Sequence, residues 1–167
     1  ASDDAHTYVG ELVQKHVAAN PRIRYVKIEN KGIAANTNAA ARLAQGEYLA
    51  LADHDDILAP HAIYCMGKEL QKTGADFAYS DEALFRKSPK TAHVAHFKPD
   101  YAPEYLMACN YICHLAVFRK SLFDAIGGER PECDGAQDHD LILRLTEKAH
   151  RIEHIKKVLY IWRGHAG

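Results

Sequence analysis

The sequence predicts an α/β domain built on a largely parallel sheet. Two observations carry that expectation: helix-period and strand-period segments alternate along the chain, and the apolar run at residues 48–52 ends abruptly in Asp53, Asp55 and Asp56. A strand that is apolar throughout is buried on both faces, as in parallel sheets. Acids at its end stand where open α/β sheets keep their ligands. Three carboxylates within four residues repel one another, so they are tolerated when fully solvated or when a cation sits among their oxygens. The expectation here is a cation.

Composition is that of an ordinary globular chain: 167 residues, 47% hydrophobic and 26% charged, which is room for one domain over residues 1–167. A formal net charge of -1 supplies no basic field, so nucleic acid is not an expected partner. No apolar run reaches bilayer length. Cys65, Cys109, Cys113 and Cys133 include no CxxC pair, which fits a reducing compartment. Cys109, Cys113 and His114 lack a second ligand pair at zinc-site spacing and read as small buried side chains.

The elements follow in order. Asp3 and Asp4 look like the exit of a strand whose body is absent, in a chain that begins without methionine. Tyr8, Leu12, Val13, His16 and Val17 recur at helical spacing until Asn20-Pro21, predicting a helix that lies on a sheet. Residues 23–28 alternate with β-branched and aromatic side chains, predicting a strand with 29–32 as its exit turn. The alanine-rich run 33–45 predicts a helix with Gly46 as its C-cap, followed by the acid-tipped strand. Pro60 suits the first position of a helix reaching Thr73-Gly74. Residues 76–80 read as a short strand, and the polar stretch 81–103 as a functional loop or a short hairpin. Strands at 112–118 and 158–162, a short helix at 121–126 and a helix at 138–149 complete the pattern.

Three constellations carry chemistry. Asn30-Lys31-Gly32 with Asn36 and Asn38 places amides at a strand exit and helix start, where they meet a phosphate or serve as turn chemistry. Asp138, opening an amphipathic helix, is either its N-cap or a general base aimed into a cleft. Tyr160-Ile161-Trp162-Arg163-Gly164-His165 is packing and surface, or it brings His165 to a metal or a diphosphate.

Read in order, these pieces resemble glycosyltransferase family 2, enzymes of the GT-A fold. The resemblance rests on Asp3-Asp4, Asn30-x-Gly32 with Asn38, Gly46-Glu47-Tyr48 leading into Asp53-His54-Asp55-Asp56 as the DxD motif, and Gln137-Asp138 at the family's Glu-Asp site. Tyr79-Ser80-Asp81-Glu82, Phe97-Lys98-Pro99-Asp100, residues 109–115 and residues 135–141 look like the branch that makes O-antigen and other bacterial surface polysaccharides, including rhamnosyltransferase-like members. By resemblance the family's first strand and most of its second are missing. Gln137 stands for the usual Glu, Glu129 for Phe, Lys156 for Pro and Ile161 for His, the last removing one diphosphate contact.

The resemblance implies a nucleotide-diphospho-sugar transferase: a Rossmann-like, mostly parallel sheet flanked by helices, truncated at its N-terminus. It implies an inverting transfer from a nucleotide-diphosphate sugar to a hydroxyl of a glycan or lipid-linked acceptor. Asp138 would be the catalytic base, and Asp3, Asp4, Asn30, Gly32, Asn38, Asp53 and His54 would bind the donor. Asp55, Asp53 and His165 would hold Mn²⁺ or Mg²⁺, ions suited to hard oxygen donors. The expected location is the bacterial cytoplasm, at the inner face of the membrane through parts beyond this chain, with self-association through open strand edges.

Competing readings are few. An EF-hand fails, because a loop starting at Asp53 has Leu58 at position six and Tyr64 at position twelve. A haloacid-dehalogenase-type phosphatase also places Asp-x-Asp after an apolar strand, with Asp53 as nucleophile. A truncated sugar-nucleotide binding domain without turnover is the non-enzymatic alternative.

Overall fold

A computed structural model describes residues 7–86, 88 and 94–164. Asp3, Asp4 and His165 lie outside the described residues. The chain forms two compact units, residues 1–45 with 129–137, and residues 46–128 with 138–167.

The smaller unit carries helices α1 (Thr7–Ala19) and α2 (Ile33–Leu43) and a 3-10 turn (Pro131–Cys133). Residues 23–28, expected as a strand, form no ladder, and Ile23, Tyr25, Val26 and Ile28 remain substantially exposed. A β-like sequence becomes a strand only where a partner strand receives its backbone groups, and none does so among the described residues. The apolar stripe of α1 is open too, with Leu12 52% exposed. The end of α2 corrects a second expectation. The helix stops at Leu43, and its C-cap is Ala44, whose N–H reaches Ala41 O, in place of Gly46.

The larger unit holds the sheet. Its strands are β1 (Tyr48–Ala50), β2 (Ile57–Leu58), β3 (Phe77–Phe85), β4 (Val94–His96), β5 (Ala116–Arg119) and β6 (Ile152–Arg163). Helices α3 (Ala62–Thr73), α4 (Pro103–Ala108), α5 (Lys120–Ala125) and α6 (Gln137–Lys148) complete it. Strand order is β1-β5-β3-β6-β2, with β4 also on β3. The sheet is mixed, which corrects the largely parallel expectation: β3 and β6 run parallel, while β1/β5, β2/β6, β3/β4 and β3/β5 are antiparallel. The reason lies in the connections. β4 pairs antiparallel with β3, so the chain has reversed before it passes through α4 to β5. β5 then keeps the sense of β4, antiparallel to β3. Sequence alternation reports helix and strand without reporting strand direction.

The core lies along β3, β5 and β6. Met66 and Leu70 of α3 pack on Ala78, Leu115, Val117, Ile155 and Leu159. Phe118 stacks on Phe77 and Phe123 at 6.1 and 5.9 Å. Each such side chain contributes about 1.5–3 kcal/mol on full burial. Gly74 ends α3 in the left-handed conformation at φ 67°, as Thr73-Gly74 in the sequence predicts. In β3 the apolar pattern gives way to Ser80, Asp81 and Glu82, all buried. The register with β6 slips there, so this irregular stretch of β3 carries two acids into the interior.

Open apolar surface in the smaller unit has a consequence in solution, because patches of this kind are met by another surface. The chain should self-associate with rising concentration in sedimentation velocity, and Leu12→Lys with Val26→Lys should reverse it. A monomer at every concentration would contradict the exposure seen here.

Candidate functional site

The acid-tipped turn after β1 is built by one buried tyrosine. Tyr160 of β6 accepts the Asp53 backbone N–H (3.0 Å) and donates its hydroxyl to Asp56 Oδ2 (2.7 Å). Asp56 Oδ1 accepts the Arg163 N–H (2.8 Å), and Arg163 Nε donates to the Asp55 carbonyl (3.0 Å). Burial, then the Asp56 hydrogen bond, pushes the Tyr160 hydroxyl above its ordinary range, so it stays a donor. Both Asp56 oxygens are therefore committed to holding the turn on β6. Asp56 is thereby a structural member of the acid cluster.

Asp53 reaches into a cavity of about 900 Å³ lined among others by Lys98, Tyr105, His114, Asp138 and Trp162. Its Oδ2 stands 3.5 Å from His114 Nε2, and its side chain is 59% exposed. The hydrogen bond from His114 holds the Asp53 carboxyl below its usual range against partial burial. Burial works against charge on His114, but Asp53 and Cys113 outweigh it and push the imidazole up to about 11. Asp138, in the first turn of α6, lines the same cavity. Burial raises its pKa, with His114 opposing and Asp53 adding. Its neighbour Asp140 is tied to Arg144 (2.5 Å) one turn along.

The cavity wall is fixed by buried charge. Lys98 Nζ donates to Ile112 O (2.9 Å), His114 O (2.6 Å) and Glu82 Oε2 (3.3 Å). Glu82 Oε2 also accepts the His114 N–H (2.7 Å), while Oε1 faces His96 Nδ1 (3.0 Å). Asp81 Oδ1 accepts the Lys98 N–H (2.9 Å) and pairs with His154 (2.9 Å). Spacing singled out Asp53 and Asp138; Lys98, His114 and Tyr160 acquire their parts only through contacts far apart in sequence. Lys98 and His114 stand in the runs 97–100 and 109–115, and Tyr160 opens the run 160–165, but no spacing there points to these contacts.

In the smaller unit the amides expected near the donor hold backbone. Asn30 Oδ1 accepts the Gly32 N–H (3.3 Å) and the Asn36 amide (3.0 Å). Asn38 exchanges two hydrogen bonds with the Glu129 backbone (2.8 and 2.9 Å). At the start of α2 the Ile33 and Ala34 N–H groups donate to Asp134 (3.2 and 2.9 Å), which sequence reading missed. Gly32 has φ 98°, and a Cβ there would stand 2.2 Å from Asp134 Oδ2. The glycine is required by that approach. Gln137 Oε1 accepts the Gly135 N–H (2.7 Å), and His54 is exposed on its turn.

Asp53 and Asp55 suit a hard cation that arrives with a ligand. Among the described residues, no triple of clustered metal-ligating groups includes either of them. Mg²⁺-like ions are commonly bound by one or two carboxylates completed by substrate phosphates. The donor set fits that mode.

Known proteins agree with this architecture. S. aureus TarS residues 1–349 in complex with UDP-GlcNAc superposes with a TM-score of 0.75 at 15% identity, over 95% of this chain and 47% of that one. The mannosyltransferase PcManGT from Pyrobaculum calidifontis, in complex with GDP-Man and Mn²⁺, gives 0.66 at 22% identity, over 97% and 45%. The fold is the α/β fold of GT-A transferases. Residues 2–127 match Glycosyl transferase family 2, and the chain belongs to that family. It is 32% identical over 163 residues to the O-antigen biosynthesis protein RfbC of Myxococcus xanthus, covering 95% of this chain and 13% of that protein. The chain thus spans a small part of such a relative. Family membership sets aside the phosphatase reading. No helix among the described residues is long and apolar enough to cross a membrane.

Tyr160→Phe should lower stability by about 1–3 kcal/mol, because the ring stays while the Asp53 N–H and the Asp56 carboxylate lose a buried partner. Urea unfolding measures it; unchanged stability would remove Tyr160 as the organiser of this turn.

Proposed function

We propose that this chain is part of an inverting, metal-dependent glycosyltransferase, a single GT-A domain that moves a sugar from a nucleotide-diphosphate donor to a hydroxyl of a surface glycan or lipid-linked acceptor. The observation that carries the reading is that Asp138 and Asp53 line one cavity. Transfer needs a base for a neutral hydroxyl and charge compensation for a departing diphosphate. These two acids supply a starting point for both. The relatives' involvement in surface polysaccharides supports the acceptor class, and a cytoplasmic site of action at the inner membrane face follows from lipid-linked substrates.

Mn²⁺ or Mg²⁺, when bound, stabilises the negative leaving group; Asp53 and Asp55, with His165, would hold it. Asp3, Asp4, Asn30, Gly32, Asn38 and His54 would frame the donor. Asp138 takes the proton from the acceptor hydroxyl as that oxygen attacks the anomeric carbon from the face opposite the diphosphate. Burial strengthens it as a base by raising its pKa. Asn110 Oδ1, buried without a hydrogen-bond partner on the same wall, is placed to accept from a sugar hydroxyl. Phe97, Tyr105 and Trp162, all exposed, give the cavity a rim on which sugar rings can lie.

UDP-GlcNAc and GDP-Man, the ligands of the two structural neighbours, head the panel of donors to test. Asp138→Asn should cost on the order of 10² to 10⁴ in turnover, with donor affinity by calorimetry little changed. Asp140→Asn should have a much smaller effect. Because Asp138 acts deprotonated and its pKa is raised, the parental rate should fall with decreasing pH before ordinary carboxylates titrate. Asp138→Asn should lose that limb. Parental turnover in Asp138→Asn would leave Asp138 a first-turn acid facing the α6 dipole and no base.

Asp55→Ala should abolish Mn²⁺-dependent nucleotide binding. Equal metal and nucleotide affinity in that variant would exclude Asp53-His54-Asp55 as the donor's metal site.

A further inference from the structure

Sequence spacing offered Cys113 and His114 no partner ligands. The fold brings them one from 24 residues further on: a ligand atom each from Cys113, His114 and Asp138 all lie within 4.8 Å of one another. His114 is held by its backbone at both ends, N–H to Glu82 and C=O to Lys98, and its ring lies against Tyr160 at 5.0 Å. Nε2 faces the Asp53 carboxylate. Nδ1 is buried and has no hydrogen-bond partner. A buried polar atom left unpaired is costly and calls for an explanation. Ion pairing with Asp53 accounts for Nε2, whereas the Cys113 thiol near the ring favours its charge without closing a hydrogen bond to Nδ1.

We propose that Cys113, His114 and Asp138 form a zinc site on the wall of this cavity, with Nδ1 as the imidazole ligand. The donor set is the first argument: a thiolate, an imidazole and a carboxylate suit Zn²⁺, whereas Mn²⁺ and Mg²⁺ prefer the all-oxygen pair at Asp53 and Asp55. Geometry is the second. Zinc bonds of about 2.0–2.3 Å in a tetrahedral arrangement put ligand atoms about 3.5 Å apart, so the three need close by little more than an ångström. Third, a zinc-bound histidine characteristically gives its other ring N–H to a carboxylate, which orients the ring. Asp53 stands in that position. Three protein ligands leave the fourth place to a water from the cavity. On binding, the Cys113 thiol proton and the Nδ1 proton pass to solvent. Zinc there would occupy the lone pair of Asp138, so the filled site is inhibitory; that consequence alone rests on the transferase reading.

The test is a titration of the chain with Co²⁺, followed by the sulfur-to-cobalt charge-transfer absorption and by its displacement with Zn²⁺. The band should appear in the parent and in Cys109→Ala and vanish in Cys113→Ala. Cys113→Ser, closer in size and polarity, repeats the measurement should the alanine variant lose its circular-dichroism signature. Asp53→Asn should weaken Zn²⁺ about 10- to 100-fold, the usual worth of such an orienting carboxylate, and His114→Ala should weaken it at least as much. A parent without the band, or a band that survives in Cys113→Ala or Cys113→Ser, overturns the proposal. Neither donor nor acceptor is present, so that failure would leave the transferase reading standing.

Discussion

The larger unit's site depends on an ammonium and a carboxylate taken out of water together. Lys98 is 3% exposed and Glu82 11% at their side chains, and each buried ion carries a desolvation cost of several kcal/mol. Such a pair is tolerable only when the remaining hydrogen-bonding positions are filled. They are: the ammonium uses its donors on two loop carbonyls and Glu82, and Glu82 also takes the His114 N–H. Burial lowers the Lys98 pKa and Glu82 opposes it. What the pair secures is position. A segment of residues 109–115 that belongs to neither helix nor strand is pinned to β3, and His114 is set facing Asp53 in the cavity that Asp138 also lines.

The carboxylates of this chain show how one functional group takes several parts by environment. Asp56 has both oxygens on Tyr160 and Arg163 and acts as a structural clamp. Asp53, partly in solvent and facing His114, holds its carboxyl below the usual range. Asp138, further from solvent and beside Asp53, holds its proton more tightly. Asp140, two residues on, is neutralised by Arg144 across one helical turn. An ionised acid and a stronger base in one cavity is the division of labour that general-base chemistry beside a bound anion demands.

Much of this was legible in the sequence where the signal is local. The apolar run before Asp53, the helix starting near Asp138 and the Thr73-Gly74 stop are written in adjacent residues, and the structure has them within a residue or two. Strand direction was not, because alternation is the same for parallel and antiparallel neighbours; the hairpin that reverses β5 hides in a polar stretch. Residues 23–28 have the composition of a strand, but a ladder needs a second strand, and composition cannot supply one. The part of Asp56 is not local either: Tyr160 stands in the run 160–165, but its contact with an acid more than a hundred residues away leaves no mark in the spacing. Asp134 escaped notice because a cap delivered from a distant turn leaves no spacing to read.

The proposed transfer makes a spatial demand: the diphosphate would sit at Asp53 and Asp55, and Asp138 would face the sugar from the other side of the anomeric carbon. Crystals grown with UDP-GlcNAc and Mn²⁺, measured with anomalous scattering at the manganese edge, test it most directly. The expected result is an anomalous peak between the Asp53 and Asp55 carboxylates, the diphosphate against it, and the Asp138 carboxylate across the cavity on the opposite face of the sugar. Manganese and nucleotide bound away from Asp53 and Asp55, or a sugar whose anomeric carbon turns its diphosphate-bearing face to Asp138, would contradict it.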